Sequence, residues 1–117
     1  MADYKVVFHL DEPSKGRAEQ ALANIANLLN DLGDGNVTVE LLANGGGVRA
    51  LARDADEQTR QQVETLAKRG VRFVACANSL EHLNMQPEDL LDLVQVVPAG
   101  VSELVKKQAE GWAYIRP

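Results

Sequence analysis

The chain has 117 residues, of which 45% are hydrophobic and 25% are charged, and this composition is typical of one ordinary globular domain. Its formal net charge of −5 argues against general affinity for nucleic acids or anionic membranes, because such binding needs clustered Lys and Arg. One cysteine and two histidines offer neither an internal disulfide nor the usual ligands of structural zinc, so we predict no metal and no cofactor.

The N-terminal segment Met1–Lys5 lacks the basic stretch and following apolar segment of an export signal. No apolar run in the sequence approaches the length of a membrane span. We therefore expect a cytoplasmic protein. Because that compartment keeps thiols reduced, a lone exposed cysteine there can act as a nucleophile or redox group.

The first part of the chain passes from a strand pattern to a helix pattern and back. The apolar, β-branched run Tyr4–Leu10 predicts a strand that is buried on both faces. Apolar residues at three- and four-residue spacings then predict a long amphipathic helix from about Lys15, which is capped by Ser14 and ended by Gly33. After a turn, Val37–Ala43 predicts the second strand.

A run of glycines closes the second strand and precedes a short predicted helix, Val48–Arg53. This glycine turn lacks both the Gly-x-Gly-x-x-Gly spacing of dinucleotide folds and the Lys-Ser/Thr ending of a P-loop. It either holds a small anion, with Arg49 nearby, or makes a tight strand-to-helix connection, and we favour the connection. The residues of the glycine turn are Asn44, Gly45, Gly46 and Gly47.

The next part of the chain is predicted to run from helix to strand to helix. Ala55–Arg69 predicts an amphipathic helix with Asp54 as its N-terminal cap. Val71–Cys76 is the most strand-like run of the sequence, and a short helix from Asn78 to Leu83 follows it. A further helical turn begins at Pro87.

The last part of the chain predicts two more strands with a helix between them. The fourth strand is predicted over Leu93–Val97, and the helix that follows carries Ala109 on its apolar face. The tail Gly111–Pro117 is predicted to be a short last strand. Trp112 and Tyr114 lie on one face of that final strand. We interpret them as core or subunit-interface residues rather than as part of a cofactor site.

Strands that alternate with helices at this spacing imply parallel pairing through right-handed crossovers. We therefore predict a single α/β domain over residues 1–117, a three-layer α/β/α sandwich around a mainly parallel sheet of about five strands. The carboxyl ends of parallel strands meet at one edge of the sheet, where α/β proteins bind ligands. That edge brings together four segments, His9–Glu12, Asn44–Gly47, Cys76–Ser79 and Pro98–Gly100.

Cys76 ends the third predicted strand at this edge. One interpretation is a small buried hydrophobic residue. The other is a reactive thiol, because a helix capped by Asn78, with Glu81 three residues later, would bring free N–H groups close to the sulfur and favour the thiolate. The lack of a second cysteine excludes a dithiol cycle within one chain, which leaves a persulfide carrier, a mixed disulfide or a covalent nucleophile.

His9 is the second candidate catalytic residue, since it lies at the carboxyl end of the first strand. It is a candidate general base, or a neighbour that stabilises the thiolate, although a histidine held by backbone groups is the more common case. Asn78 and Ser79, which follow Cys76 closely, join the glycine turn as candidate ligand-binding residues. We interpret His82 as a solvated or interface residue.

Four segments taken together resemble the DsrE/DsrF-like family. They are Val6–Asp11, Asn44–Val48, Val74–Leu80 and Gly111–Pro117, and the resemblance in their order and spacing spans nearly the whole chain. It implies an α/β/α fold and assembly into trimers or hexamers. In several members of the family a cysteine accepts sulfur and passes it on as a persulfide, and Cys76 matches the position of that cysteine.

The sequence is compatible with three hypotheses on function. In the first, the protein is a cytoplasmic sulfur carrier whose Cys76 exchanges sulfur with donor and acceptor proteins. In the second, it is a non-catalytic binding module that holds a small anion at the glycine turn, with Cys76 as lining. The third is a purely structural subunit. In all three we expect a homo-oligomer without a nucleic-acid or membrane partner.

Overall fold

A computed structural model of the chain describes residues 3–117, so Met1 and Ala2, on which part of the export argument rests, lie outside the described range. Within that range, strands alternate with helices. The strands are β1 (Tyr4–Leu10), β2 (Val37–Ala43), β3 (Arg72–Cys76), β4 (Gln95–Val97) and β5 (Ala113–Ile115). The helices are α1 (Lys15–Leu32), α2 (Glu57–Lys68), α3 (Ala77–His82) and α4 (Gly100–Ala109), and short 3₁₀ segments occupy Asp34–Asn36, Gly45–Leu51 and Pro87–Asp89.

The five strands form one sheet in the order β4-β3-β2-β1-β5, and every neighbouring pair is parallel. The predicted α/β architecture is thus confirmed. The register pairs Leu10 with Ala43 and Cys76 with Val97. Parallel pairing therefore brings the carboxyl ends of the strands to the same edge of the sheet, as the alternating pattern predicted.

Side chains alternate between the two faces of the sheet, and helices cover both faces. On one face, Phe8 belongs to a large core with Ile25 of α1, Val63 of α2 and Leu80 of α3. On the other face, a smaller core contains residues of β1, β2 and β3 together with one residue of α4 and the aromatic residue before β5. Its members are Val7, Leu42, Val74, Leu104 and Trp112. The layers are therefore helix, sheet and helix, and α4 packs on the second face.

The predicted N-terminal cap of α2 is wrong by two residues. Asp56, not Asp54, caps the helix, and its carboxylate accepts hydrogen bonds from the backbone N–H groups of Gln58 at 3.1 Å and Thr59 at 3.4 Å. Asp54 precedes the helix as part of a turn. Both residues are aspartates with a polar residue three positions later, so the local pattern did not distinguish them.

The short helices also begin earlier than predicted. α3 begins at Ala77 with Cys76 itself in the N-cap position, so the prediction that Asn78 caps this helix is wrong. The glycine turn is likewise part of its helix, because the 3₁₀ segment runs from Gly45 to Leu51 rather than over Val48–Arg53. β2 and β3 thus lead directly into helical turns at the sheet edge where the predicted site lies.

The two edge strands are shorter than predicted. β4 and β5 contain three residues each. Val94, which was predicted to lie within the fourth strand, instead donates its N–H to the carbonyl of Leu91 in a turn. Within residues 3–117, no helix has the length and apolarity needed to cross a membrane.

Candidate functional site

Cys76 lies at the junction of β3 and α3, on the sheet face that α4 covers. As the N-cap residue of α3 it has an extended backbone, and its side chain stands beside the first turn of that helix. Only 5% of the residue is exposed. The start of α4 reaches the same place from the other side, so the thiol lies between two helix beginnings.

Hydrogen-bond donors lie close to the sulfur atom of Cys76. The Ser79 hydroxyl and the backbone N–H groups of Gly100, Ser79 and Asn78 act on the pKa of the thiol, although the thiol makes no capping hydrogen bond to α3. Burial of the thiol raises its pKa, but these four donors together lower it by more, so the pKa of Cys76 lies below its ordinary value. The site therefore stabilises the thiolate, which is the nucleophilic form of cysteine.

Gly100 allows α4 to begin this close to the sulfur. A Cβ atom at Gly100 would lie 3.2 Å from the Cβ of Cys76, 3.2 Å from the Cβ of Asn44 and 3.1 Å from a methyl group of Leu42. Such contacts are tighter than ordinary van der Waals contact, so any larger residue would move the helix outward. Glycine here keeps the first N–H of α4 within reach of Cys76.

Ser79 connects the glycine turn to Cys76. Its Oγ accepts a hydrogen bond of 2.7 Å from the N–H of Gly45, so the hydroxyl proton is free to point at the sulfur. Gly45 has φ +53°, a backbone conformation that L-residues rarely adopt. The glycine turn thus fixes the hydroxyl that helps to hold the thiolate.

We expect Ser79→Ala to slow the alkylation of Cys76 at neutral pH by about tenfold, because a hydrogen bond to an ionised group contributes roughly 1.5–3 kcal/mol. The substitution removes a donor to the sulfur and the acceptor for Gly45. Thiolate alkylation by iodoacetamide, followed by mass spectrometry against pH, measures the change. Thr65→Ala, which removes an exposed hydroxyl on α2, is the control. Equal rates in the two variants would show that Ser79 does not stabilise the thiolate.

His9 is half-buried at the same edge, but both of its ring nitrogens are engaged elsewhere. Nε2 lies 2.7 Å from Oδ1 of Asn44, and Nδ1 lies 2.6 Å from the hydroxyl of Tyr114. Since Oδ1 can only accept, Nε2 donates to Asn44, and in the neutral ring Nδ1 accepts the Tyr114 proton. His9 therefore holds Asn44, and its role as a base for Cys76 stays a prediction.

The remaining residues of the glycine turn pack against the chain rather than against the sulfur. A Cβ at Gly46 would lie 2.7 Å from the ring of Pro13, and one at Gly47 would overlap the backbone of Leu10. The N–H of Gly47 donates to the carbonyl of Asn44 at 3.0 Å. These contacts support the interpretation of the glycine turn as a tight strand-to-helix connection.

The acidic residues that follow His9 are paired with arginines. Asp11 accepts from Arg116 at 3.0 Å, and Glu12 lies 3.7 Å from Arg17. Within the part of the chain that the structure describes, no group of three or more His, Cys, Asp and Glu side chains could hold a metal ion. The two acidic residues that follow His9 are therefore engaged by Arg116 and Arg17.

The structure brings most of the predicted site residues together. His9, Asn44, Gly45, Ser79 and Cys76 form a connected set, and Asn78 contributes its backbone N–H.

Two residues of this site, Gly100 and Tyr114, were not predicted from the sequence as site residues. Gly100 was placed at the edge without a role, and Tyr114 was assigned to the core or an interface. No local pattern could have found the contact of Tyr114 with His9, because 105 residues separate them.

Comparisons with known proteins agree with this architecture. The sequence profile of the DsrE/DsrF-like family matches residues 5–117 of the chain. None of the curated proteins matches it. Among solved structures, the chain is similar to MTH1491 from Methanobacterium thermoautotrophicum, a protein of unknown function, with 44% sequence identity and a TM-score of 0.91. That match covers 98% of this chain and 100% of the other.

Two more distant structures share the fold. The YchN protein from E. coli has a TM-score of 0.80 at 16% sequence identity, and the match covers 100% of both chains. The protein BT1422 from Bacteroides thetaiotaomicron, also of unknown function, has a TM-score of 0.69 at 15% identity. That match covers 97% of this chain and 94% of the other.

Proposed function

Because the chain belongs to the DsrE/DsrF-like family, which is broadly linked to sulfur relay, we propose that it is a sulfur carrier with Cys76 as its persulfide site. The observation that carries the proposal is the place of the Cys76 sulfur beside the Ser79 hydroxyl and the N–H groups at the starts of α3 and α4, which lower its pKa. A thiolate held in this way is the form that attacks a sulfane sulfur.

In the loading step, the Cys76 thiolate attacks the outer sulfur of a donor persulfide. A new S–S bond forms at Cys76, the S–S bond of the donor breaks, and the donor leaves as a thiolate with the bonding electron pair. In the unloading step, an acceptor thiolate attacks the outer sulfur and Cys76 leaves as a thiolate. Neither step needs an external oxidant, because one S–S bond replaces another.

The low exposure of Cys76 is compatible with this chemistry. Only 5% of the residue meets solvent, so the donor must present a slender group such as a persulfide. The transferred sulfur then extends about 2 Å beyond Sγ, the length of an S–S bond. The same donors that hold the thiolate make Cys76 a better leaving group when sulfur is passed on.

We expect the wild-type protein to gain the mass of one or more sulfur atoms after incubation with a polysulfide donor, and Cys76→Ser to gain none. The chain has one cysteine, and serine can occupy the same N-cap position, so the variant is expected to fold. Intact-mass spectrometry measures the gain, and wild-type protein blocked with iodoacetamide is the control. Sulfur retained by Cys76→Ser, or none on the wild type, would remove the proposal.

The alternative of an anion-binding module has less support from the contacts at the edge. Two N–H groups of the glycine turn, those of Gly45 and Gly47, already donate within the chain. They are thus engaged by Ser79 and Asn44 rather than directed at a ligand.

We also propose a homo-oligomer, which exchanges sulfur with donor and acceptor proteins in the reducing environment of the cytoplasm. Apolar side chains that the isolated chain exposes support the assembly. On α4, Val101 is 63% and Val105 is 66% exposed, and Tyr114 of β5 is 41% exposed. Large exposed apolar groups of this kind are typical of surfaces that contact another protein.

A further inference from the structure

A buried glutamate lies beneath α4, away from the residues that touch Cys76. Glu40 is in the middle of β2, on the face that α4 covers, and it is 0% exposed. Its neighbours in the sheet are Val7 of β1 and Arg72 of β3. Among the described residues, neither carboxylate oxygen has a hydrogen-bond partner. A buried carboxylate without hydrogen bonds is costly, so this position calls for a physical explanation.

Charged groups from two elements face Glu40. Nη1 of Arg72 lies 3.5 Å from Oε1, and Nζ of Lys107 on α4 lies 4.0 Å from the same oxygen. Lys107 also lies 3.9 Å from Glu103 and 4.0 Å from Glu110, both on α4 or at its end. With every group ionised, three carboxylates share two cations. The cluster then carries one uncompensated negative charge next to a buried site.

Protonation of Glu40 relieves this imbalance. An ionised carboxylate can only accept hydrogen bonds, whereas a protonated one can donate, and the Glu103 carboxylate beside it is an acceptor. Burial and then the proximity of Glu103 raise the pKa of Glu40 to about 7, against the lowering effects of Lys107 and Arg72. Near neutral pH, the Glu40 carboxyl therefore changes between a neutral form that can donate a hydrogen bond to Glu103 and an ionised form that cannot.

The same helix connects this cluster to the candidate site. α4 has only 10 residues, and the N–H of its first residue, Gly100, lowers the pKa of Cys76. Glu103 and Lys107 follow about one and two turns later, above Glu40. A change in how α4 packs on β2 therefore changes the distance from that N–H to the sulfur.

We propose that Glu40 is a positioning residue for Cys76. The protonation state of Glu40 sets how firmly α4 is docked on the sheet, and so how well the N–H of Gly100 stabilises the Cys76 thiolate. Loss of the proton places a second buried carboxylate against Glu103, and α4 loosens. This proposal rests on the proposed function only because that function makes the Cys76 thiolate important. The docking of α4 is measured without any sulfur transfer.

Hydrogen exchange of the α4 amides tests the docking step. If undocking returns the pKa of Glu40 to its ordinary 4.5, linkage predicts that α4 protection factors fall about tenfold between about pH 6 and about pH 8. In Glu40→Gln, which keeps the shape of the side chain, the protection factors are expected to stay constant over this range. Wild-type protection factors that are equal at both pH values would overturn the proposal.

Titration of the thiolate by its ultraviolet absorbance tests the connection to Cys76, the only cysteine of the chain. The midpoint is expected at a lower pH in Glu40→Gln than in the wild type, because α4 stays docked. Glu110→Gln removes one negative charge from the same cluster at a side chain that is 59% exposed, and is the matched control.

Two results of this titration would overturn the connection. One is an unchanged midpoint in Glu40→Gln, and the other is an equal shift in Glu110→Gln, which would reduce the effect to simple charge. Glu103→Gln, which removes the negative charge beside Glu40 on α4, provides a second variant should Glu40→Gln fold poorly. It is expected to reduce the dependence of α4 protection on pH. Failure of these tests would overturn the role of Glu40, whereas failure to load sulfur would overturn the proposed function.

Discussion

Gly47→Ala is expected to destabilise the protein by about 3 kcal/mol or more, because the new methyl group has no space. A Cβ at this position would overlap the carbonyl oxygen of Leu10 and lie 2.6 Å from its carbonyl carbon and 3.1 Å from the N–H nitrogen of Asp11. These are backbone atoms at the end of β1, which cannot rotate away as a side chain can. The glycine turn would have to move away from the edge of the sheet.

Urea denaturation of Gly47→Ala, followed by circular dichroism, measures this loss as a fall in the unfolding midpoint. Gly35→Ala is the matched control, because nothing lies within 4 Å of a Cβ there and the change is expected to be within about 0.5 kcal/mol. Similar midpoints for Gly47→Ala and the wild type would contradict the close packing of the turn on Leu10. The same displacement is expected to release Ser79 from Gly45 and to slow alkylation of Cys76.

Glu40→Gln is expected to remove a loss of stability that the wild type suffers between about pH 4.5 and about pH 7. Burial raises the pKa of Glu40 in the folded chain to about 7, whereas the unfolded chain has the ordinary value of 4.5. In this window the folded state binds more protons than the unfolded state, so the free energy of unfolding decreases as pH rises. At about 1.4 kcal/mol per pH unit, the total loss is up to about 3 kcal/mol.

The experiment compares unfolding free energies of the wild type and Glu40→Gln from about pH 4 to about pH 8. The two are expected to be similar at the acidic end, and the variant is expected to be the more stable protein at the alkaline end. Glu64→Gln, at an exposed position on α2, is the control and is expected to follow the wild type. If the free energy of unfolding of the wild type rose with pH across this window, the prediction that ionised Glu40 destabilises the fold would be wrong.

The central strands could be predicted from the sequence because their physical signals are local. Tyr4–Leu10 and Val37–Ala43 have the predicted bounds of β1 and β2, since both are flanked by neighbours on each side and their apolar runs reflect burial. The edge strands were predicted too long. The apolar run extends in front of β4 because residues such as Val94 pack against the core from a turn, where no strand pairs with them.

The chemistry of the site was only partly accessible from the sequence. The position of Cys76 at the end of a buried strand placed it at the correct edge, and the residues just after it supplied donors as expected. The cap was misplaced because Cys76 itself occupies it, which is unusual for cysteine. The N–H of Gly100 and the contact of Tyr114 with His9 arise from tertiary packing, which leaves no local pattern.

Glu40 carried a signal that the strand prediction did not use. It is a charged residue within Val37–Ala43, a run in which all other residues but Thr38 are apolar. In a strand covered on both faces, nearly every position is buried, so a carboxylate there must find a partner or a proton. The identity of that partner required the position of α4, which only the structure supplies.

The pairing of β5 with β1 has a consequence for how the protein is made. The register joins Val6 to Ala113, so one side of β1 has no strand beside it until a segment about 100 residues further along the chain has folded onto it. Until then, the nascent chain presents an unprotected strand edge, a surface on which growing chains associate wrongly. Partly folded chains in which β5 has not yet docked are therefore the species most exposed to wrong association.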